Sequence, residues 1–395
     1  MRVCFVSRRF FPAISGMSVY ALNLLRELVA AGHEVTMVSQ YRGDPAGTAV
    51  YGGGPPPKVP GVRVIGLEAL GEQDGGDFEA DVETMRRTVV EHGPFDVVHA
   101  QYGYPTGLAA LAAARELGVP CVVSIQGGDG HWIGSCCATH ERAMHAVLDG
   151  ADELLIGSRS FAQEVHDRLG TPIERFTIVP GAVDVTRFRP PVAEPAAERL
   201  LYHGRVDRRK GVLDLIEALA LLGRPDLPVT VSGIGPDLAA AKVLAAELGV
   251  AVEWLDHVPY EVVPAVYRRA TMFVSPTYAE GFSNTILEAM ATGLPIVSCR
   301  AVGVVDCLRD GDNALLVEPG DVEALAGAIG RLLDDRELRD VLADAALAEA
   351  QDRYAWEPVG RLIMDAYERA TPHPPFAMPN GPIEPCRFRE APHLL

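Results

Sequence analysis

The chain has 395 residues, 48% of them hydrophobic, with a mean hydropathy of +0.11, so it can bury two cores and two domains are expected. Its formal net charge is −18, shared as −8 over residues 1–185 (14 Lys and Arg against 22 Asp and Glu) and −10 over the rest (21 against 31), which argues against a basic face for nucleic acid or an anionic membrane. Seven scattered cysteines suggest no disulfide framework, no apolar run reaches the roughly 20 residues of a membrane span, and Met1 leads directly into a strand-like stretch, so a cytoplasmic protein without signal peptide or stable membrane insertion is expected.

Residues 3–6 read as a buried strand, followed by a loop over 7–16 and a helix with Val19, Leu22, Leu25 and Leu28 on one face. The loop offers only Gly16 at the helix start and lacks the Gly-x-Gly-x-x-Gly of a dinucleotide site, which disfavours an NAD enzyme. Residues 35–38 make a second strand, and the Gly/Pro-rich 43–61 a long connection. Further strands at 97–99, 121–125, 154–156 and 177–179, with a helix over 108–117, predict five or more parallel strands in one α/β domain, residues 1–185. The segment 186–198, with Pro190, Pro191 and Pro195, reads as a linker on which the two halves hinge. A second alternating set fills 199–353. It has strands at 200–202, 229–232, 252–255 and 272–274, helices at 212–222, 238–248 and 262–267, and Ala/Leu-rich helices at 322–333 and 338–350. The proline-rich tail 371–395 reads as an extended surface segment.

Chemistry concentrates after the strand 272–274, where Glu280, Gly281, Phe282, Ser283 and Asn284 precede an apolar helix carrying Glu288. Ser283 and Asn284 are both good N-cap residues, and a helix opening there turns backbone N–H groups toward Gly281, a site for an anionic phosphate. Glu288 lies one turn past Asn284, and its carboxylate can accept from a vicinal diol such as a ribose. Glu280 would point at the group beyond the phosphates. The plain alternative is an ordinary strand-loop-helix unit with a solvated glutamate. Arg205 and Lys210, flanked by Gly204 and Gly211 just past the strand 200–202, could neutralise a diphosphate leaving group, while the cluster they form with Arg208 and Arg209 also fits a solvated basic turn.

Together these residues make the chain resemble the retaining GT-B glycosyltransferases of family 4, also called group 1, over nearly its whole length. The resemblance is carried by the Gly16 loop, the linker prolines, the segment from Gly204-Arg205 to Lys210-Gly211, and Glu280 and Glu288 in their strand-loop-helix context. It implies an α/β fold of two Rossmann-like parallel-sheet domains facing across a cleft, with residues 354–370 as a helix returning to the N-terminal domain. By the same resemblance Arg205 and Lys210 hold the donor diphosphate, Glu288 binds the ribose, Glu280 contacts the donor sugar, and backbone amides at Gly281, Phe282, Ser283 and Asn284 contact phosphate or sugar. Gly16, Gly204 and Gly235 belong to the same donor-binding set. A UDP- or GDP-sugar is implied as co-substrate, with no tightly bound cofactor and no essential metal. Two departures stand out: Gly16 is followed by Met17 rather than a second glycine, and Gln126, Gly127, Gly128 and Asp129 stand where the family often has a histidine. Gln126, Asp129 or His131 would cover that role, although glutamine donates to a sugar hydroxyl without shuttling protons.

Asp310-Gly311-Asp312 spells a metal-binding pattern but reads as a turn. His131, Cys136, Cys137 and His140 could be drawn as a zinc site. Adjacent cysteines lack the usual spacing of about two to four residues, and ordinary packing is the preferred reading. For the acceptor, an acidic N-terminal half argues against an anionic lipid and for a small soluble polar molecule, with Asp129 and the segment 72–83 along its approach. The N-terminal half also resembles, loosely, enzymes that glycosylate aminocyclitols on the way to aminoglycoside antibiotics, so an amine-bearing acceptor is expected. The plain alternative is that the charge serves solubility. Other functions in play are a lipid or polysaccharide glycosyltransferase of the same family, a GT-B sugar-nucleotide epimerase, and a non-catalytic sugar-nucleotide binding protein.

Overall fold

The computed structural model describes residues 1–44, 48, 52–70, 77–131, 133–193, 195, 197–373 and 376–386, the side chains of Asp129 and Ile133 excepted. Of the sequence expectations, parts of 43–61, 72–83 and the tail lie outside the described residues. The chain forms two compact units, one from Met1–Pro180 with Val359–Leu395, the other from Gly181–Pro358.

The first unit is built on seven parallel strands, β1 (Arg2–Ser7), β2 (Glu34–Tyr41), β3 (Val62–Glu68), β4 (Val97–Gln101), β5 (Cys121–Ile125), β6 (Glu153–Ile156) and β7 (Phe176–Ile178), in the order β3-β2-β1-β4-β5-β6-β7. The central strands are largely apolar because helices cover both faces of the sheet, and Val3, Cys4, Phe5 and Val6 are fully buried. The edge strand β3 is half-exposed, and with Arg63 and Gly66 interrupting it no buried-strand pattern shows in the sequence.

Helix α1 (Gly16–Ala30) starts at Ser15, whose hydroxyl accepts from the Ser18 N–H at 3.2 Å. Its buried stripe is Ala21, Leu24, Leu25 and Leu28, whereas the expected stripe used Val19 and Leu22. Those two residues flank the face that meets the sheet and stay partly exposed. Helix α2 (Phe78–His92) was not expected because it is polar overall. It is fixed by the Asp77 N-cap, which accepts from the Ala80 N–H at 2.9 Å, and by a stripe of Phe78, Val82, Met85 and Val89. Helices α3 (Leu108–Leu117), α4 (Gly127–His131), α5 (Ala138–Gly150) and α6 (Arg159–Leu169) complete the N-terminal part.

In the second unit six parallel strands, β8 (Leu200–His203), β9 (Val229–Ser232), β10 (Val252–Leu255), β11 (Met272–Ser275), β12 (Ile296–Cys299) and β13 (Leu315–Val317), run in the order β10-β9-β8-β11-β12-β13. Between them lie α7 (Val212–Leu222), α8 (Leu238–Glu247), α9 (Val263–Arg268) and α10 (Asn284–Ala291), followed by α11 (Val322–Asp334) and α12 (Arg336–Arg353). Its core joins Leu200, Tyr202, Leu215, Ile216, Val231, Met272, Val274, Leu325 and Ile329, each side chain contributing about 1.5–3 kcal/mol by leaving water. From Gly181 to Pro358 the chain belongs to this unit. Phe188 is buried edge-on against Tyr267 at 5.6 Å, and Arg187 donates to the Tyr260 carbonyl at 2.9 Å.

The last helix, α13 (Trp356–Arg369), contributes to the first unit from Val359 on, where Ile363, Ala366 and Tyr367 are buried. The Tyr367 hydroxyl lies 2.6 Å from His99 Nδ1, and His99 Nε2 lies 2.8 Å from the Ser124 hydroxyl. Burial holds the imidazole down at a pKa of about 3, so it stays neutral between two hydroxyls.

Both sheets reverse their winding at one point, between β1 and β4 in the first unit and between β8 and β11 in the second. Loops leaving neighbouring strands at such a point diverge to opposite faces and open a crevice at the carboxyl ends of the strands. Among the described residues no helix is long and apolar enough to cross a membrane.

Candidate functional site

In the second unit the switch-point loops are residues 204–211 after β8 and 276–283 after β11, which carry the cations and carboxylates singled out in the sequence. Backbone packs on backbone there, and glycine makes this possible. At Gly233 (φ +144) an added Cβ would stand 1.8 Å from the Gly204 carbonyl oxygen, and at Gly235 2.1 Å from that of Val206. Gly211 (φ +71) likewise brings the first loop against the Pro276 carbonyl. The first loop is tied to the end of β9 by the Gly204 N–H donating to the Ser232 carbonyl at 3.0 Å and the Val206 N–H to that of Ile234 at 2.9 Å, and to the second loop by the Tyr278 N–H donating to the Arg209 carbonyl at 3.0 Å.

The cations are held by acids that no local sequence pattern marks. Asp207 lies 3.2 Å from Arg205 Nε and 2.7 Å from Arg209 Nη2, and also accepts from the Arg209 N–H at 2.9 Å. Burial alone would raise its pKa; the Arg209 guanidinium and N–H, with Arg205, outweigh that and keep it below the usual carboxylate range. Arg208 is exposed and tied to Asp237 at 2.7 Å. Lys210 Nζ lies 2.8 Å from Glu280 Oε2 and donates to the Ala279 carbonyl at 3.0 Å, so two residues expected to contact different parts of a ligand are paired across the loops.

Helix α10 opens at Ser283, which makes no side-chain cap bond; its hydroxyl lies 3.2 Å from that of Thr285. Asn284 is the first helical residue, with Gly281 and Phe282 half-buried just before it. The Phe282 ring rests on Tyr354, centroids 5.6 Å apart. Glu288 is only 6% exposed, and its Oε2 is buried without a hydrogen-bond partner. Burial drives its pKa up to about 8 against the opposing pull of the Tyr267 hydroxyl and Arg187. That hydroxyl donates to the Thr285 carbonyl at 3.1 Å. A buried carboxylate in this state can gain hydrogen-bond donors from a ligand.

The first unit holds the remaining candidates. Gly16 is exposed at the start of α1, and Gln126 is half-buried between β5 and α4. Asp129 lies on α4, and its side chain lies outside the described residues. His131 lies 2.8 Å from Glu164 and 4.6 Å ring-to-ring from Phe161, within the packing of α6. A feature the sequence did not reveal is Tyr102, the one non-glycine residue at positive φ (+93) among the described residues. Its ring lies 5.0 Å from the buried Arg8 guanidinium, and an added Cβ on Gly128 would meet its hydroxyl at 2.0 Å. Strain of this kind collects at ligand-binding loops, and no local sequence signal marks it.

The Asp310-Gly311-Asp312 segment forms a turn. Asp310 pairs with Arg300 at 2.8 Å and accepts from the Leu316 N–H, Gly311 has φ +77, and Asp312 lies 3.6 Å from Arg309.

Residues 15–182 match the family described as glycosyl transferase 4-like domain, and residues 186–348 match glycosyl transferases group 1. The chain is 30% identical over 400 residues to a D-inositol 3-phosphate glycosyltransferase of Frankia alni, covering 90% of this chain and 94% of that one. Among solved structures it resembles a sucrose-phosphate synthase of Thermosynechococcus elongatus, with a TM-score of 0.76 at 22% identity over 93% of this chain and 99% of that one. It also resembles Anabaena HepE in complex with UDP, with a TM-score of 0.73 at 17% identity over 93% and 100%. The two parallel-sheet α/β units are those of the GT-B fold. Because the relative's likeness runs through both of them, this chain belongs to the group 1 glycosyltransferases, enzymes that take their sugar from a nucleotide.

Proposed function

We propose that the protein is a retaining glycosyltransferase that moves a hexosyl group from UDP-sugar, with GDP-sugar as the second choice of donor, to a small soluble cyclitol bearing amines. The observation that carries the donor site is the buried, partnerless Oε2 of Glu288 beside the start of α10. A ribose diol would supply its donors, the diphosphate would lie toward Arg205, Lys210 and the 281–284 backbone, and Glu280 would meet the sugar. Gly204 and Gly235 keep the floor of the crevice low enough for that approach. HepE, one of the structural neighbours, was solved with UDP, which favours uridine.

In the reaction the bond between the sugar anomeric carbon and the phosphate oxygen breaks, and a bond to the acceptor oxygen forms on the same face. The acceptor proton passes to the departing phosphate, whose charge the cations match. On the acceptor side Gln126 and Asp129 are the candidates, and the excess of acidic residues over 1–185 favours a cationic partner. The name of the Frankia relative favours a second reading, a phosphorylated inositol, which is also a cyclitol.

The test is a matrix of UDP-, GDP-, ADP- and dTDP-sugars against 2-deoxystreptamine, paromamine, inositol 3-phosphate and phosphatidylinositol vesicles, with the product's anomeric configuration read by NMR. Transfer to the aminocyclitols with retention supports the proposal, and transfer only to the phosphate or the vesicles removes the amine-bearing acceptor. An isomerised donor without acceptor identifies an epimerase, and tight binding without turnover a binding protein. Activity should persist in a chelator.

Asp207 offers a separate check on the geometry. Asp207→Ala removes the anchor of Arg205 and Arg209 and is expected to lower kcat/KM about tenfold, a cost of about 1.4 kcal/mol in steady-state kinetics. An unchanged kcat/KM would mean that the anchor does not position the cations.

A further inference from the structure

Three sulfurs and one imidazole nitrogen converge in the first unit. Cys136 and Cys137 precede α5, His140 sits in its first turn, and Cys386 arrives from the tail. Cys136 Sγ lies 3.9 Å from both Cys137 Sγ and Cys386 Sγ, and His140 Nδ1 lies 2.8, 3.3 and 3.5 Å from the sulfurs of Cys136, Cys137 and Cys386. All four atoms lie within 4.8 Å of one another. A tetrahedral zinc with ordinary bond lengths sets its ligand atoms about 3.8 Å apart for two sulfurs and about 3.5 Å apart for sulfur and nitrogen. To reach that geometry the Cys136–His140 pair must open slightly, and the Cys137 and Cys386 sulfurs, within 4.8 Å of each other, must lie about 3.8 Å apart.

The tail is brought there by a separate set of bonds. Glu384 accepts from the Ala138 N–H at 3.1 Å and donates its own N–H to the Thr139 hydroxyl at 2.8 Å. Thr139 and Arg142 donate to the Pro382 carbonyl at 3.1 and 2.7 Å. His140 and Cys386 are buried, and the imidazole is wedged edge-on between Phe78 and Tyr104. A bound cation would hold these sulfurs as thiolates. The start of α5 favours that negative charge.

We propose that Cys136, Cys137, His140 and Cys386 bind a zinc ion that fastens the C-terminal tail to the first unit. Four protein ligands leave no open position, so the ion is structural, and chemistry at the donor site does not pass through it. His131, drawn into this site on sequence grounds, is engaged with Glu164 instead, and Cys386 takes the fourth place. The adjacent cysteines conceal the site because its remaining ligand lies 246 residues beyond His140 in the chain.

The full-length chain, purified under reducing conditions, is expected to carry about one zinc by elemental analysis and, once exchanged, to show the visible bands of tetrahedral thiolate-bound cobalt. Cys386→Ser should lower zinc affinity by about a hundredfold or more and open the tail to limited proteolysis, while UDP affinity stays as in the wild type. The cobalt spectrum of the wild type decides the matter even if the variant fails to fold. Absence of those bands, a Cys136–Cys386 disulfide in the reduced preparation, or wild-type zinc affinity in Cys386→Ser would each overturn the proposal.

Discussion

Replacing Arg205 or Lys210 by alanine is expected to lower kcat about a hundredfold or more, the cost of leaving charge on a departing diphosphate unmatched in a desolvated crevice. The two variants differ in what they release. Without Arg205, Asp207 still has Arg209 at 2.7 Å, so the damage stays with the lost guanidinium. Without Lys210, Glu280 loses the partner 2.8 Å away that fixes its carboxylate, so positioning of the sugar fails together with neutralisation of the phosphate. Lys210→Ala should therefore be the more severe, and Arg205→Lys should recover only part of the loss, because an ammonium lacks the planar fork of donors. Stopped assays with saturating donor read the effect, with thermal melts confirming that each variant is folded. Wild-type turnover in both alanine variants would remove this loop from the reaction.

Glu288→Ala is expected to weaken binding of the free nucleotide about ten- to a hundredfold, as the loss of hydrogen bonds to a charged acceptor would. The carboxyl also makes two pH effects predictable. In the ligand-free protein its pKa is about 8 against an ordinary 4.5, so between these values the folded state holds a proton that the unfolded state has lost. The stability this group confers is therefore fully present below pH 4.5 and is lost as pH rises through about 8, and Glu288→Gln should abolish that slope. A diol donating to the carboxylate favours the ionised form, so nucleotide binding near pH 7 should release a proton, and affinity should rise with pH up to about 8. Calorimetry in two buffers of different ionisation enthalpy counts that proton. Affinity for UDP that is the same in Glu288→Ala as in the wild type would end the ribose assignment.

How far the sequence could be read follows from which signals are local. Central strands such as β1 and β5 are legible because burial on both faces gives them short apolar runs, Val3 to Val6 and Cys121 to Val123. Strand β3 is not, being half-exposed and interrupted by Arg63 and Gly66. At the site, Arg205, Lys210, Glu280 and Glu288 announce themselves by charge beside glycine after a strand. The anchoring of Arg205 and Arg208 by Asp207 and Asp237 does not, because it depends on how the loops fold back. The positive φ of Tyr102 is equally silent, since its neighbours in sequence give no reason for it. Cys386 is the extreme case, a ligand candidate whose meaning exists only once the tail has returned.

The bond between His99 and Tyr367 has a consequence for the order in which this protein comes into being. A ribosome releases residues 1–180 long before Tyr367 exists, yet His99 is buried at the centre of the first sheet and relies on that hydroxyl. Domains generally fold as they emerge, and the second unit, continuous from Gly181 to Pro358, can do so at once. The first unit must wait for the whole of the second to be translated before α13 can close over its sheet. The half that is made first is thus the half that is finished last, and during that interval its apolar surface is the part of the nascent chain most in need of a chaperone.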